Sequence, residues 1–315
     1  MRLILLGNYG VGNLGDEMLR EYFLHAFPHV EWIILDGGTA STQRRMVPRL
    51  PFGLRSLMTT PWWRTLGAFR RCDAVVFGGG TLFTDIESRK APLLWWWHAL
   101  TAWMFRKRII LAFQGIGPWK TQMGEWCTRW VVERSALTVV RDEESLRRIT
   151  QWKNKKYVQS CDPVLSLLSS SQDRGSGKRF VIIPRANASQ EFLDLAKAEG
   201  MKAKERGETV CIASLEPEAH GEGMICGELA RHLDAPIVCP STRQELMSVM
   251  QDASYVLTQR YHGAIAALGM GIPFHAFPQA SGDKLDAVAE MDRETALEAV
   301  ERGERALREV LSQRI

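Results

Sequence analysis

Residues 253–277 decide the fold: Ala-Ser-Tyr-Val-Leu-Thr-Gln-Arg-Tyr-His-Gly-Ala-Ile-Ala-Ala-Leu-Gly-Met-Gly-Ile-Pro-Phe-His-Ala-Phe. Residues 255–258 are strand formers and residues 263–268 are Ala-rich and helical in pattern. Gly269, Gly271 and Pro273 then stop the helix before another apolar run. The stretch predicts a strand, a turn, a helix and a second strand. Arg260 and His262 fall where the strand's carboxyl end meets the helix's amino end, the edge at which open α/β sheets bind ligands and where backbone N–H groups favour an anion. From the residues alone two readings stand: an oxyanion site, or an Arg260 paired with a surface carboxylate beside a His262 that caps the helix.

The same alternation extends outward in both directions. Strands are expected at residues 3–6, 30–35, 74–77, 109–113 and 137–140, with helices at 15–27, 64–71 and 124–134 between them. After a Ser- and Gly-rich stretch at 169–177, strands are expected at 179–183, 210–214, 236–238, 255–258 and 274–277. Strands alternating with helices predict parallel, doubly wound sheets. The expected organisation is α/β, with two Rossmann-like domains facing a cleft, at residues 1–168 and 178–290. From Asp292 onward Leu297, Val300, Leu307, Val310 and Leu311 form an apolar stripe, so 291–315 is expected as a helix packing back on the domains.

Composition fits that size. A chain of 315 residues, 45% hydrophobic and 24% charged, can bury two cores. Its net charge of +4 is dispersed over short Arg-rich patches, which argues against a nucleic-acid partner. Six Cys without CxxC spacing suggest no metal site and read as buried thiols of a reducing compartment. The apolar start is too short for a signal peptide, so a cytoplasmic protein is expected. Trp95, Trp96 and Trp97, with Trp103 and flanking Lys and Arg, read either as a buried helix or as a peripheral contact with the inner face of the cytoplasmic membrane.

The first loop, Gly10-Val-Gly12-Asn-Leu-Gly15, has the spacing of a dinucleotide fingerprint, and Asp36 ends the second strand. Asn8 and Tyr9 lengthen the turn, however, and Asp16 and Glu17 would repel pyrophosphate at the helix end. Asp16 can also simply cap that helix. Further along, Gly78-Gly79-Gly80-Thr81-Leu-Phe-Thr-Asp85 follows a strand. Glycines there would let a substrate approach the backbone, and Asp85 reads equally as a base facing the cleft or as a helix cap. Asp142 and Glu143 suit a helix start without any chemistry.

Taken in order, Asn13-Leu-Gly-Asp16, residues 78–85, Val140-Arg-Asp-Glu-Glu-Ser145 and Arg260-Tyr-His262 followed by Gly271-Ile-Pro273 resemble the signature segments of the polysaccharide pyruvyl transferase family. The resemblance covers nearly the whole chain. It implies an enzyme on two domains similar to the GT-B glycosyltransferase architecture, moving pyruvate from phosphoenolpyruvate onto a saccharide acceptor, in some cases lipid-linked, with no further cofactor. Arg185, Arg260, Tyr261 and Lys284 would hold the donor, and Asn13, Gly15, Gly79, Gly80 and Thr81 the acceptor. His262, Asp85 and Asp16 would move protons.

The donor's chemistry explains those residue types. Phosphoenolpyruvate carries a carboxylate and a phosphate, and planar guanidinium groups bind both through forked, charge-assisted bonds. Ketal formation needs one acid and one base, and a histidine titrates near working pH. A nucleotide-sugar glycosyltransferase and an NAD(P)-binding Rossmann enzyme are the alternative readings.

Overall fold

The computed structural model describes residues 1–37, 45–86, 88–152, 156–169, 177–217, 221–279 and 284–313. Its strands are β1 (Arg2–Leu6), β2 (Glu31–Asp36), β3 (Met46–Pro48), β4 (Ala74–Phe83), β5 (Arg108–Ile116), β6 (Leu137–Val140), β7 (Tyr157–Gln159), β8 (Arg179–Ile183), β9 (Thr209–Ala213), β10 (Ile237–Val238), β11 (Ala253–Thr258) and β12 (Phe274–Ala276). The helices are α1 (Leu14–Ala26), α2 (Leu54–Thr59), α3 (Trp63–Arg71), α4 (Ala91–Met104), α5 (Gln122–Arg134), α6 (Glu143–Thr150), α7 (Val164–Ser169), α8 (Gln190–Glu205), α9 (Glu222–Leu233), α10 (Arg243–Gln251), α11 (Tyr261–Met270), α12 (Lys284–Ala289) and α13 (Arg293–Ser312).

Two sheets result. The first has the order β3-β2-β1-β4-β5-β6-β7 and the second β10-β9-β8-β11-β12. Every pairing is parallel. In each sheet the chain winds outward on one side, returns to the centre and winds outward on the other, so both are doubly wound as expected. The point of return lies between β1 and β4 in the first sheet and between β8 and β11 in the second. In open α/β sheets ligands bind in the crevice at the carboxyl ends of such strand pairs.

The chain divides into two compact units, one of Met1–Val11, Leu19–Asp162 and Glu298–Ile315, the other of Gly12–Met18 and Pro163–Leu297. The first is built on the seven-stranded sheet, with a core that includes Phe69, Phe77, Phe83, Leu111 and Val131. The second is built on the five-stranded sheet, around Phe180, Phe192, Ile212, Leu229 and Leu257.

Several local expectations need correction. The chain passes between the units at Asp162 and Pro163, ahead of the Ser-rich stretch, because α7 already belongs to the second unit. A Cβ on Gly269 of α11 would lie 3.1 Å from Leu168 Cβ and 3.2 Å from the Leu165 carbonyl, so the two helices touch backbone to backbone. Residues 170–176 of the expected linker, like Ser281, Gly282 and Asp283 before Lys284, lie outside the described residues.

Residues 78–80 are strand rather than turn. β4 continues to Phe83, with Gly79 and Gly80 at φ of 85° and 78°, where a side chain would be strained. The buried Gln114 amide stitches this irregular backbone by donating to the carbonyls of Phe77 and Gly79. Trp95 is core, edge-on to Phe77, and Trp96 and Trp97 are half-buried; the exposed ring of α4 is Trp103.

Candidate active site

The second unit's switch point is assembled first from backbone. Gln259 N–H donates to the Ile183 carbonyl, which carries the β8–β11 pairing one step past the ladder. The buried Thr258 hydroxyl accepts from Arg260 N–H and donates to the Arg260 carbonyl. A Cβ at Gly263 would come within 2.6 Å of that hydroxyl, so glycine lets α11 start directly above the strand end. Arg260 is the N-cap residue in extended conformation and supplies no side-chain cap. Its guanidinium is therefore directed elsewhere.

It is directed at two carboxylates. Arg260 Nη1 lies 2.6 Å from Glu216 Oε2, and Nη2 pairs with Glu222 Oε2. Glu222 is fully buried, and its other oxygen accepts from the Ser214 hydroxyl at 2.7 Å and from Glu216 N–H at 3.1 Å. Gly221, with φ of 95°, turns the chain so that Glu222 opens α9, where the helix dipole favours a carboxylate. Glu216 differs: its side chain is 31% exposed. Neither glutamate was anticipated, since acidic residues on a loop after a strand look like ordinary surface; the clue is their place at the carboxyl end of β9. Gln259, 1% exposed, is likewise unanticipated, and both atoms of its amide lack a hydrogen-bond partner among the described residues.

His262 meets the chain's first segment. A methyl at Gly15 would overlap the His262 ring at Nδ1, so glycine is what lets the imidazole lie against the opening turn of α1. Asn13 shapes that turn, its Oδ1 accepting from Gly15 N–H at 2.9 Å and from Asp16 N–H at 3.4 Å. Leu14 N–H reaches the Leu215 carbonyl at 3.4 Å, next to Glu216. The Tyr261 ring is buried and edge-on to His262, and the exposed Lys284 ammonium stands 5.1 Å over its face. Arg185, just past β8, donates to Gln279 Oε1 at 3.4 Å. Asn13, Gly15, Asp16, Arg185, Arg260, Tyr261, His262 and Lys284 thus all belong to the second unit.

Gly79, Gly80, Thr81 and Asp85 belong to the first unit, and at Gly79, Thr81 and Asp85 the protein itself occupies their contacts. At Gly79 a Cβ would press on Leu19 at 2.7 Å, so the space expected for a substrate holds a side chain. Thr81 Oγ1 accepts from Arg141 Nη2 at 2.6 Å, and Arg141, buried, pairs with the buried Asp162 at 2.9 Å. Asp142 caps α6 through Ser145 N–H, the structural part expected of it.

Asp85 is 1% exposed and does not present a free carboxylate. It accepts from Lys120 N–H, Thr121 N–H and the Thr121 hydroxyl at 2.5, 2.9 and 2.5 Å. Burial would push its carboxyl up, but the Thr121 hydroxyl and the two backbone N–H groups outweigh that and hold it below the usual carboxylate range. A group held that way is a staple and a weak base.

Among the described residues no group of three or more His, Cys, Asp or Glu is placed to hold a metal ion. A groove of about 470 Å³ lined by Phe180, Tyr255, Arg206 and His275, among others, includes none of the site residues.

The family model for polysaccharide pyruvyl transferase matches residues 13–281, which contain every candidate residue except Lys284. The chain belongs to that family. No curated protein matches its sequence. Among solved structures, this pyruvyl transferase family member resembles a UDP-N-acetylglucosamine 2-epimerase, described as putative, from Listeria monocytogenes, with TM-score 0.61 at 11% identity over 99% of this chain and 88% of that one. The epimerase of Neisseria meningitidis gives 0.58 at 10% over the full length of both. An α-glucosyltransferase in complex with UDP and DNA gives 0.52 at 10% over 99% and 90%. At such identities the likeness concerns the fold, two parallel α/β sheets of the GT-B type.

Proposed function

We propose that this pyruvyl transferase takes its pyruvate from phosphoenolpyruvate and places it on two hydroxyls of a sugar in a cell-surface polysaccharide or its precursor. The product is a cyclic pyruvate ketal and the leaving group is phosphate. The observation that carries this reading is the packing of His262 on Gly15. It joins the Asn13–Asp16 turn to Arg260-Tyr-His262 at the second sheet's switch point, where Arg185, Arg260 and His262 stand at the strand ends.

Arg185 and Arg260 follow adjacent strands and suit the donor's two anionic groups. A proton goes from His262 to the methylene carbon, which makes C2 electrophilic, and the first sugar hydroxyl adds there while Asp16 receives its proton. Phosphate then departs with the C–O bond pair, and the second hydroxyl closes the ring on C2, its proton ending on the phosphate. No electrons are exchanged. Asn13 and Gly15 border the acceptor, and Tyr261 and Lys284 flank the donor. Glu216, being partly exposed, swings off Arg260 when the donor arrives, while the buried Glu222 keeps the guanidinium oriented.

The test is phosphate release from phosphoenolpyruvate with a panel of hexose and hexosamine acceptors, with mass spectrometry for the ketal. Acceptor-dependent release supports the proposal. Turnover of UDP-sugars with no reaction of phosphoenolpyruvate would overturn it in favour of glycosyl transfer.

A further inference from the structure

On α4 and α5 of the first unit four tryptophans gather on one surface. Trp96 lies 5.7 Å from Trp126 and 6.0 Å from Trp130, and Trp103 lies 6.0 Å from Trp130. Two of these rings face solvent, Trp103 at 53% and Trp126 at 51% exposure, and Met104 next to Trp103 and Met123 three residues before Trp126 on α5 are exposed as well. Large aromatic rings left half in water are ordinary when scattered singly and informative when contiguous. Nothing in the pyruvyl-transfer site uses them.

The charge around the patch is one-sided. Residues 89–134 hold eight Lys and Arg against two Glu, whereas the whole chain has a net charge of +4, so the rest of the molecule is net negative. Arg106 is exposed beside Trp103, and the Arg134 guanidinium stacks 4.3 Å over the Trp130 ring, which places charge and indole at the same level. Tryptophan favours the boundary between lipid headgroups and acyl chains, and clustered Lys and Arg favour anionic headgroups. No helix among the described residues is long and apolar enough to cross a membrane.

We propose that this face docks peripherally on an anionic lipid surface, with Trp103 and Trp126 entering the interface and Arg106, Lys107 and Arg134 engaging headgroup phosphates. The occupant is the bilayer surface and not a second copy of the chain, because a two-fold contact would bring these basic groups face to face.

Flotation of the full chain with vesicles of phosphatidylcholine, alone or mixed with phosphatidylglycerol, tests this. Binding is expected only to the mixed vesicles, with weakening as salt rises and a blue shift of tryptophan fluorescence. Trp103→Ser with Trp126→Ser, and separately Arg106→Glu with Lys107→Glu, should each cut partitioning by at least ~10-fold. Circular dichroism checks folding, and if the serine variant unfolds, the charge variant carries the test. Equal binding to both vesicle types, or none to either, overturns the proposal. So does a dimer in sedimentation velocity that both variants convert to monomer.

Discussion

The two sheets reverse their winding at equivalent places, and the fold-level rule offers a ligand crevice at each. In the first unit that crevice is filled from within. The Tyr9 ring lies where a Cβ on Gly7 or Gly78 would be, its hydroxyl donates 2.7 Å to the Gly78 carbonyl, and it is 1% exposed. Tyr9, which directly precedes the turn with the spacing of a dinucleotide fingerprint, therefore fills the space over Gly7 and Gly78 itself. In the second unit the equivalent place collects Arg185, Arg260, His262, Glu216 and Glu222, with Gln259 beneath them. Equivalent topology gives one plugged crevice and one polar crevice, and the side chains alone make the difference.

The largest test of that contrast is His262→Gln. The variant keeps a hydrogen-bonding side chain but cannot deliver a proton, so turnover at saturating phosphoenolpyruvate should fall by about 10²–10⁴ while donor binding survives. Stopped-flow phosphate release and calorimetric donor titration separate the two. Unchanged turnover with lost donor binding would make His262 a phosphate ligand and leave the acid to be found elsewhere.

In the first unit the same kind of change should act on stability. Asp162→Asn leaves the buried Arg141 charge uncompensated, which should cost ~3–5 kcal/mol in urea unfolding. Its KM for the donor should not move. A kinetic defect without a stability defect would mean that the Thr81–Arg141–Asp162 chain serves the reaction after all.

Asp85→Asn should be milder, about 1–3 kcal/mol, from replacing an acceptor by an amide that faces three donors. The sign with pH follows from its lowered carboxyl. Stability from Asp85 is complete above the unfolded pKa and is lost as pH falls through the folded one. The gap between wild type and variant should close on the acid side, read from urea midpoints across pH. A gap independent of pH would show that the ionised carboxylate is not what holds Lys120 and Thr121.

Much of this was legible in the sequence because hydrophobic period is a local signal. The ten expected strands and the Ala-rich α11 all announce themselves, even the short edge strands β10 and β12, which sit in apolar runs, whereas the edge strands β3 (Met-Val-Pro) and β7 (Tyr-Val-Gln) offer no such run. The Arg260–His262 site was legible as a position, at a strand's carboxyl end. What could not be read was which polar groups the fold would use up itself. Gly79, Thr81 and Asp85 carry the same local signs as Gly15, Asp16 and Arg260, and only the arrival of Leu19, Arg141 and Thr121 from elsewhere in the chain separates them. Glu222 was invisible for the converse reason: its partner Arg260 is distant in sequence.

The smallest expected effect cuts deepest into the comparison, because its sign is unusual. Arg260 faces two carboxylates, and a donor bearing a carboxylate and a phosphate must compete with them for one guanidinium. Glu222 has no solvent to retreat to and is held by Ser214 and the Glu216 backbone, so Glu216 is the group that yields. Separating a partly exposed pair costs roughly 0–1 kcal/mol. Glu216→Gln removes that competition, and the KM for phosphoenolpyruvate should fall by about two- to fivefold, within what such a pair can supply. Saturating turnover should stay unchanged, since the proton-transferring groups are untouched. Initial rates over a donor series decide it: a raised KM would show that Glu216 positions Arg260 as Glu222 does, and that the donor's anionic groups are met by Arg185 instead.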